Sequence, residues 1–255
     1  YEYKGFDEVR LDQYMVLNKL VKSRSQATDF IKRGLVLVNE KEARKPGFQV
    51  KSTDLIKMIE ETHFVSRAGE KLHHALNEFG ISLNDKVVAD IGSSTGGFTD
   101  CSLLHGAKLI YAYDVGTNQM DIKLSRDERI KLYEQTNILD VRLPDVDVCL
   151  IDVSFTSILP ILKHISAFNH EVVALIKPQF EVGHNHFKGV LKDIKMHKRI
   201  LTHVIYEINQ MGYQIIGLKK AHIKGKKGNQ EYILYISHLE KGHTDFKQMI
   251  GDVLC

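Results

Sequence analysis

The chain has 255 residues, 43% of them apolar and 26% charged, with a formal net charge of +3. Those proportions exclude a disordered or low-complexity chain and suit one domain of ordinary size, with or without a small companion. Three surplus charges are too few to identify a polyanionic partner, so the distribution of charge has to answer that question.

From residue 9 to about 62 the pattern predicts helix, helix, strand, turn, strand. Leu11, Tyr14, Met15 and Leu17 make the apolar stripe of the first helix, and Ser23, with Gln26 three residues later, forms a capping box at the start of the second. Ala27, Phe30 and Ile31 give the second helix its buried side. Gly34 ends it, because glycine takes a left-handed conformation at no steric cost, and 35–39 reads as a strand. Arg24, Lys32 and Arg33 lie off the apolar stripe and Arg44 with Lys45 follows the strand, which gathers positive charge on one side. A solvated basic face is the ordinary reading of such charges. The motifs Arg10-Leu11-Asp12, Ser23-Arg24-Ser25-Gln26-Ala27 and Ile31-Lys32-Arg33-Gly34-Leu35-Val36-Leu37-Val38-Asn39, in that order, resemble the S4 RNA-binding domain. The resemblance implies a small α+β domain over 1–62, with Arg24, Lys32, Arg33, Arg44 and Lys45 gripping the phosphates of folded RNA.

After the polar junction Glu60-Glu61-Thr62-His63 the periodicity changes, and a second domain is expected over 63–255. Strands are predicted at 87–92, 109–115, 130–135, 146–153, 172–178, 213–223 and 232–238. The first five alternate with helical segments, which predicts a parallel sheet covered on both faces. The last two are joined by the tight loop 224–230 and predict a hairpin at one edge. The expected fold is α/β, a Rossmann-like, doubly wound, mostly parallel seven-stranded sheet behind a small α+β domain.

The run Asp90-Ile91-Gly92-Ser93-Ser94-Thr95-Gly96-Gly97-Phe98 follows an apolar strand and opens a helix, where a doubly wound sheet binds ligands. Asp114 ends the next strand about 20 residues on, the spacing for a carboxylate that accepts ribose hydroxyls. A dinucleotide would fit that much. The glycine spacing departs from the dinucleotide fingerprint, however, and Asp90 precedes the turn, where a carboxylate suits the amino-acid end of S-adenosylmethionine. Asp90, Gly92, Ser94, Gly96 and Asp114 are therefore the expected contacts to that cofactor.

Lys71, Asp152, Lys177 and Glu231 fall at helix starts or strand ends on one predicted edge of the sheet. Singly, each is an ordinary surface charge. Together they suit methylation of a hydroxyl, a poor nucleophile that sheds its proton as it attacks. Desolvation, a second ammonium and a sulfonium all favour a neutral amine, so Lys177 is the candidate base and Lys71 its neighbour, with Asp152 and Glu231 orienting them.

The segments Val65-Ser66-Arg67-Ala68-Gly69-Glu70-Lys71-Leu72, Asp90 to Asp100, Asp114-Val115-Gly116-Thr117-Asn118-Gln119, Asp152-Val153-Ser154-Phe155, Ile176-Lys177-Pro178-Gln179-Phe180-Glu181-Val182-Gly183 and Gly228-Asn229-Gln230-Glu231 resemble the TlyA family. That family is named both hemolysin and ribosomal RNA 2′-O-methyltransferase, and its catalytic half is similar to FtsJ-type enzymes. The resemblance implies Lys71, Asp152, Lys177 and Glu231 as a catalytic set, Asn137 as a further cofactor contact, and cytidine ribose in ribosomal RNA as target. Leu139 stands where the family often has arginine, and Lys192 where arginine is usual.

Three rival readings follow. A base methyltransferase would carry an Asn/Asp-Pro-Pro-aromatic loop in place of Asp152-Val153-Ser154-Phe155. A non-catalytic RNA-binding protein has no need of the four polar residues. A lytic protein needs a long apolar or strongly amphipathic insertion element, and none is evident. The scattered Cys101, Cys149 and Cys255 suggest a reducing compartment, and with no signal peptide or spanning segment the expectation is cytoplasmic. His184 and His186 lack a third ligand, so no metal is expected. In the loop 179–193, Phe180 or Phe187 is a candidate to stack on a base.

Overall fold

The computed structural model describes residues 8–21, 23–58, 64–167, 170–182, 189–225, 227–238, 242 and 245–255. The chain divides into two compact units, Tyr1–His63 and Phe64–Cys255. The junction residues 60–63, the His184/His186 pair and Phe187 lie outside the described residues.

In the first unit β1 (Val9–Arg10) runs into α1 (Leu11–Leu17), followed by α2 (Arg24–Lys32), β2 (Val36–Val38), β3 (Lys41–Glu42), β4 (Gln49–Val50) and β5 (Ile56–Met58). The capping box forms: Ser23 Oγ accepts the N–H of Gln26 at 3.2 Å. Gly34 takes φ +79° after the last turn of α2. Leu11, Met15, Ala27, Ile31, Val36 and Val50 form the core. Leu17, expected in the stripe, is 59% exposed. Its position is about 240° around the helix from Leu11, on the far side from the i, i+4 pair Leu11 and Met15. β2 pairs antiparallel with β3 and β5, and β1 with β4.

The second unit contains α3 (Arg67–Phe79), β6 (Val87–Ile91), α4 (Gly97–Leu104), β7 (Leu109–Tyr113), α5 (Ile122–Ser125), β8 (Ile130–Tyr133), β9 (Val148–Ile151), α6 (Leu159–Ile165), β10 (Glu171–Ile176), α7 (Pro178–Glu181), α8 (Ile194–Gln210), β11 (Gln214–Lys220), β12 (Tyr232–Ser237) and α9 (Phe246–Leu254). Its seven-stranded sheet, among the described residues, has the order β11-β12-β10-β9-β6-β7-β8. β6 to β10 run parallel, while β12 is antiparallel to β10 and to β11, so the edge hairpin is present. Side chains alternate between two cores, as the period of a strand requires. Val148 and Leu150 join Leu72, Leu76, Phe98 and Cys101 from α3 and α4 on one face. Cys149 and Ile151 join Leu162, Leu201, Val204 and Ile208 from α6 and α8 on the other. Burying each such Leu or Ile contributes about 1.5–3 kcal/mol, which explains why these strands read as continuous apolar runs. The chain winds outward in both directions from β6, so its carboxyl end and that of β9 part at a topological switch point, where open α/β sheets bind ligands.

Candidate active site

The loop leaving β6 is shaped by two glycines. Gly92 has φ +85°, and a Cβ there would lie 2.7 Å from the backbone oxygen of Asp152. Gly96, at φ +95°, turns the chain into α4. The N–H groups of Gly92 and Ser93 both donate to the carbonyl of Tyr113, at 2.9 and 3.1 Å, which fastens the loop to β7. Asp114 accepts from the backbone N–H of Ser94 at 2.8 Å and of Gly116 at 2.7 Å. A carboxylate has about four lone-pair sites, so two remain for ligand hydroxyls. Asn137 caps a 3₁₀ turn (Ile138–Asp140) and accepts from the N–H of Leu139. Val115 and Leu139 present apolar surface to solvent.

Asp90 lies deeper than its place in the motif suggests. It is fully enclosed; its Oδ2 accepts from Thr99 Oγ1 at 2.6 Å, and its Oδ1 has no hydrogen-bond partner among the described residues. Burial pushes its carboxyl up to about 7, against the Thr99 hydrogen bond and aided by the charge of Asp152. A cavity of about 130 Å³ opens above the loop, lined by Gly92, Ser93, Ser94, Thr95, Gly97, Asp152, Ser154 and Lys177, among others. Asp90 is beneath that lining and not in it.

The four expected catalytic residues form two enclosed ion pairs. Lys71 Nζ, on α3, is 2.5 Å from Glu231 Oε2, and both side chains are less than a tenth exposed. Lys177 Nζ is 2.6 Å from Asp152 Oδ1. That contact is one of charge without hydrogen-bond alignment, since Asp152 Oδ1 has no aligned donor among the described residues; Lys177 donates instead to Ser154 Oγ at 3.0 Å. The register puts the pairs on one edge: Ile176 sits opposite Tyr232, so Lys177 and Glu231 leave adjacent strands at the same level, and Asp152 leaves β9 next to β10. Neither Lys71, Lys177 nor Glu231 points into solvent.

Three neighbours escaped the sequence reading. Ser154 is the hydrogen-bond partner of Lys177. Glu181 accepts from Ser157 Oγ at 2.5 Å and from the N–H of Ile158 at 3.0 Å, tying the segment after β9 to α7. Burial pushes its carboxyl up, against both hydrogen bonds. Phe155 has φ +63° and is 71% exposed, with its ring 5.1 Å from that of Phe180. A bulky residue at positive φ is strained, and that strain was the one signal no sequence motif carries.

Residues 64–238 match the FtsJ-like methyltransferase family and residues 9–56 the S4 domain. A Brachyspira hyodysenteriae protein named Hemolysin A is 41% identical over 89% of this chain and 99% of its own length. A Mycobacterium tuberculosis protein named 16S/23S rRNA (cytidine-2′-O)-methyltransferase TlyA is 34% identical over 89% of each chain. The solved structure of a hemolysin-named protein from Streptococcus thermophilus superposes with a TM-score of 0.71, at 34% identity, covering 98% of this chain and 95% of that one. The chain belongs to the TlyA family of FtsJ-like methyltransferases. It is an enzyme and its cofactor is S-adenosylmethionine.

The residues present suit that cofactor. Gly92, Ser93, Ser94, Thr95 and Gly97 line the cavity, and among the described residues Ser93 Oγ and Asp152 Oδ1 are buried there without aligned hydrogen-bond partners. In the S4 part of this TlyA-family chain, Arg24, Lys32, Arg33, Arg44 and Lys45 are all exposed. Acids lie among them: Arg24 contacts Asp12 at 3.0 Å, Arg33 contacts Asp29 at 3.4 Å, and Arg44 pairs with Glu42. Arg10 grips the same Asp12 through two nitrogens, and these guanidinium contacts hold its carboxyl at about 2. The basic surface is thus a mixed one. No helix among the described residues is long and apolar enough to cross a membrane.

Proposed function

We propose that this enzyme methylates the 2′-hydroxyl of a ribose, that of cytidine, in ribosomal RNA. The observation that carries the reading is the enclosed Lys177–Asp152 contact, which lines the cavity at the glycine loop, with the enclosed Lys71–Glu231 pair reached at the same level of the neighbouring strand. The printed name of the Mycobacterium tuberculosis relative supports the choice of cytidine and of ribosomal RNA. In this reading residues 63–255 catalyse and residues 1–62 hold the RNA.

Lys71, Asp152, Lys177 and Glu231 form the catalytic set. When bound, S-adenosylmethionine supplies an electrophilic methyl group and a positive sulfonium. Gly92, Ser94 and Gly96 shape its cradle, Asp114 accepts its ribose hydroxyls, Asn137 serves its adenine side, and Val115 with Leu139 gives the ring an apolar face. Asp90 acts from beneath, by holding the loop through Thr99. Lys177, steadied by Asp152 and Ser154, takes or stabilises the proton leaving the ribose oxygen; Lys71, held by Glu231, adds positive charge beside it. Much of the remaining acceleration is alignment of the oxygen with the methyl carbon, a positioning effect. Phe155 with Phe180 offers an aromatic surface for the target base.

The test is transfer of labelled methyl from S-adenosylmethionine to purified ribosomal subunits, followed by nucleoside analysis. The expected product is 2′-O-methylcytidine, lost in Lys177→Ala. Label on a base, or incorporation indifferent to Lys177→Ala, overturns the reading.

A further inference from the structure

We infer that His73, Cys101 and His105 form a binding site for one zinc-class divalent cation, separate from the catalytic edge. One side-chain donor atom from each lies within 4.8 Å of the other two. His73 is on α3, Cys101 on α4, and His105 is the residue that caps the C-terminus of α4; the two helices pack very closely at their first turns, where a Cβ on Gly69 of α3 would lie 2.8 Å from the carbonyl oxygen of Gly97 on α4. One turn on from Gly69 stands His73; one and two turns on from Gly97 stand Cys101 and His105. The i, i+4 spacing, continued by the hydrogen bond from His105 N–H to Cys101 O, puts Cys101 and His105 on the face that meets α3. His73 is about 200° around α3 from Lys71, so the cluster does not share that lysine's side of the helix.

The chemistry of the set is selective. Two imidazoles and a thiol are the ligands of borderline metals such as zinc, and unsuited to magnesium or calcium. His73 Nδ1 and His105 Nε2 already face each other at 2.9 Å, with the ring centroids 5.1 Å apart. In a tetrahedral site bond lengths of about 2.0–2.3 Å set donor atoms roughly 3.3–3.6 Å apart. The nitrogens therefore separate slightly and the sulfur closes in by about 1 Å, within the reach of side-chain rotation. His105 is half-buried and turns its Nε2 towards the cluster. Cys101 is fully enclosed and burial keeps its thiol protonated; as the metal–sulfur bond forms, the S–H bond breaks and its proton leaves to solvent. A water completes the four ligands. His73 then carries its proton on Nε2, which lies 3.1 Å from the side-chain amide nitrogen of Asn77; turning that amide over presents its oxygen as acceptor, an outer hydrogen bond typical of ligating histidines. A cation here would staple α3, which carries Lys71, to α4, which begins at the cofactor loop.

Cobalt(II) titration of the tag-free full chain tests this. The expected result is one equivalent bound, with tetrahedral visible bands and a thiolate-to-cobalt charge-transfer band, displaced by zinc. Cys101→Ala should remove the charge-transfer band, and half-buried His105→Gln should weaken binding at least tenfold. The double variant His184→Gln/His186→Gln should leave both unchanged. Zinc at about a hundredfold excess over its Kd should raise Tm by about 5 °C in the wild type and not in His105→Gln. No charge-transfer band in the wild type, its survival in Cys101→Ala, or loss of binding only in the His184/His186 variant overturns the proposal and leaves His73 and His105 as a hydrogen-bonded pair. Should Cys101→Ala fail to fold, the wild-type band and His105→Gln decide.

Discussion

Two groups of oppositely charged pairs, one in each unit, are built in opposite ways. In the first unit Arg33 and Arg44 meet Asp29 and Glu42 with at least two fifths of every one of these side chains in solvent. In the second, Lys71 and Glu231 meet with 9% and 5% exposed, and Lys177 and Asp152 with 10% and 15%. An exposed pair is worth about 0–1 kcal/mol, so its arginine can be surrendered to a phosphate at little cost. An enclosed pair gains little net stability over an apolar replacement, yet removing one partner costs about 3–5 kcal/mol. The first arrangement suits a surface that exchanges partners, the second a site that must not move.

The largest effect should follow from breaking an enclosed pair. Lys177→Ala is expected to slow single-turnover methyl transfer by about 10²–10⁴, the usual worth of a group that handles a proton. Lys71→Met should slow transfer as well and also lower stability by about 3–5 kcal/mol in urea, because it strands the Glu231 carboxylate. Replacing both partners, Lys71→Met with Glu231→Leu, should recover most of that stability and none of the activity. If Lys71→Met costs no more stability than Arg44→Met, the contrast between the units collapses.

Next in size is Gly92→Ala. The new methyl meets Asp152 O at 2.7 Å in a backbone conformation that costs a non-glycine residue about 1–2 kcal/mol. Cofactor affinity, read by calorimetry, should fall at least tenfold while the S4 part keeps its protection from hydrogen exchange.

What could be read in the sequence follows the same division between burial and surface. The inner strands β9, β10 and β12 were legible because both of their faces are buried and the runs are almost continuously apolar. β1, β3 and β4, two residues each, were not, because their pairing depends on partners distant in the chain. The cofactor loop and the four charged residues could be placed by motif and strand order, but depth could not: nothing local says that Asp90 is enclosed under Thr99 while Asp114 meets the surface. Ser154 and Glu181 lie within the sequence motifs of the site, yet their roles depend on contacts between loops. Arg10 shares Asp12 with Arg24 only because β1 leads into α1 beside the start of α2. His73, Cys101 and His105 show no metal spacing along the chain, since their proximity is made by the close approach at Gly69 and Gly97.

Two carboxyls sharpen the comparison through pH. Asp90 holds its proton in the folded chain up to about 7, whereas the unfolded chain releases it near 4. Between those values the folded state binds the extra proton, so stability falls as pH rises, by up to about 1.4 kcal/mol per pH unit. Asp90→Asn should remove that slope from urea midpoints measured between pH 4 and 8. Asp12 is the reverse case, its folded value of about 2 lying below the unfolded one because Arg10 and then Arg24 hold the charged form. Its contribution is present above pH 4 and is lost as pH falls from 4 towards 2. Discounted for the solvent around both arginines, it amounts to about 1–2 kcal/mol, and Asp12→Asn should show it as earlier acid exchange across residues 8–58.

The smallest effects belong to the exposed charges. Each arginine or lysine that meets a phosphate releases condensed counterions, so removing one should reduce the slope of log affinity against log salt by about 0.7–1. Arg24→Ala, Lys32→Ala, Arg33→Ala, Arg44→Ala and Lys45→Ala should each do so for ribosomal RNA while methyl transfer at saturating RNA stays near the wild-type rate. Asp29→Asn and Glu42→Gln provide the opposing control, because an arginine relieved of its acid should bind phosphate at least as well. Where Arg44→Ala weakens binding and Glu42→Gln weakens it equally, the Arg44–Glu42 pair is part of the framework and has not been held in reserve for RNA. Where Glu42→Gln tightens binding, the acid is a placeholder that the phosphate displaces, and the mixed surface of the first unit is a basic one masked until RNA arrives.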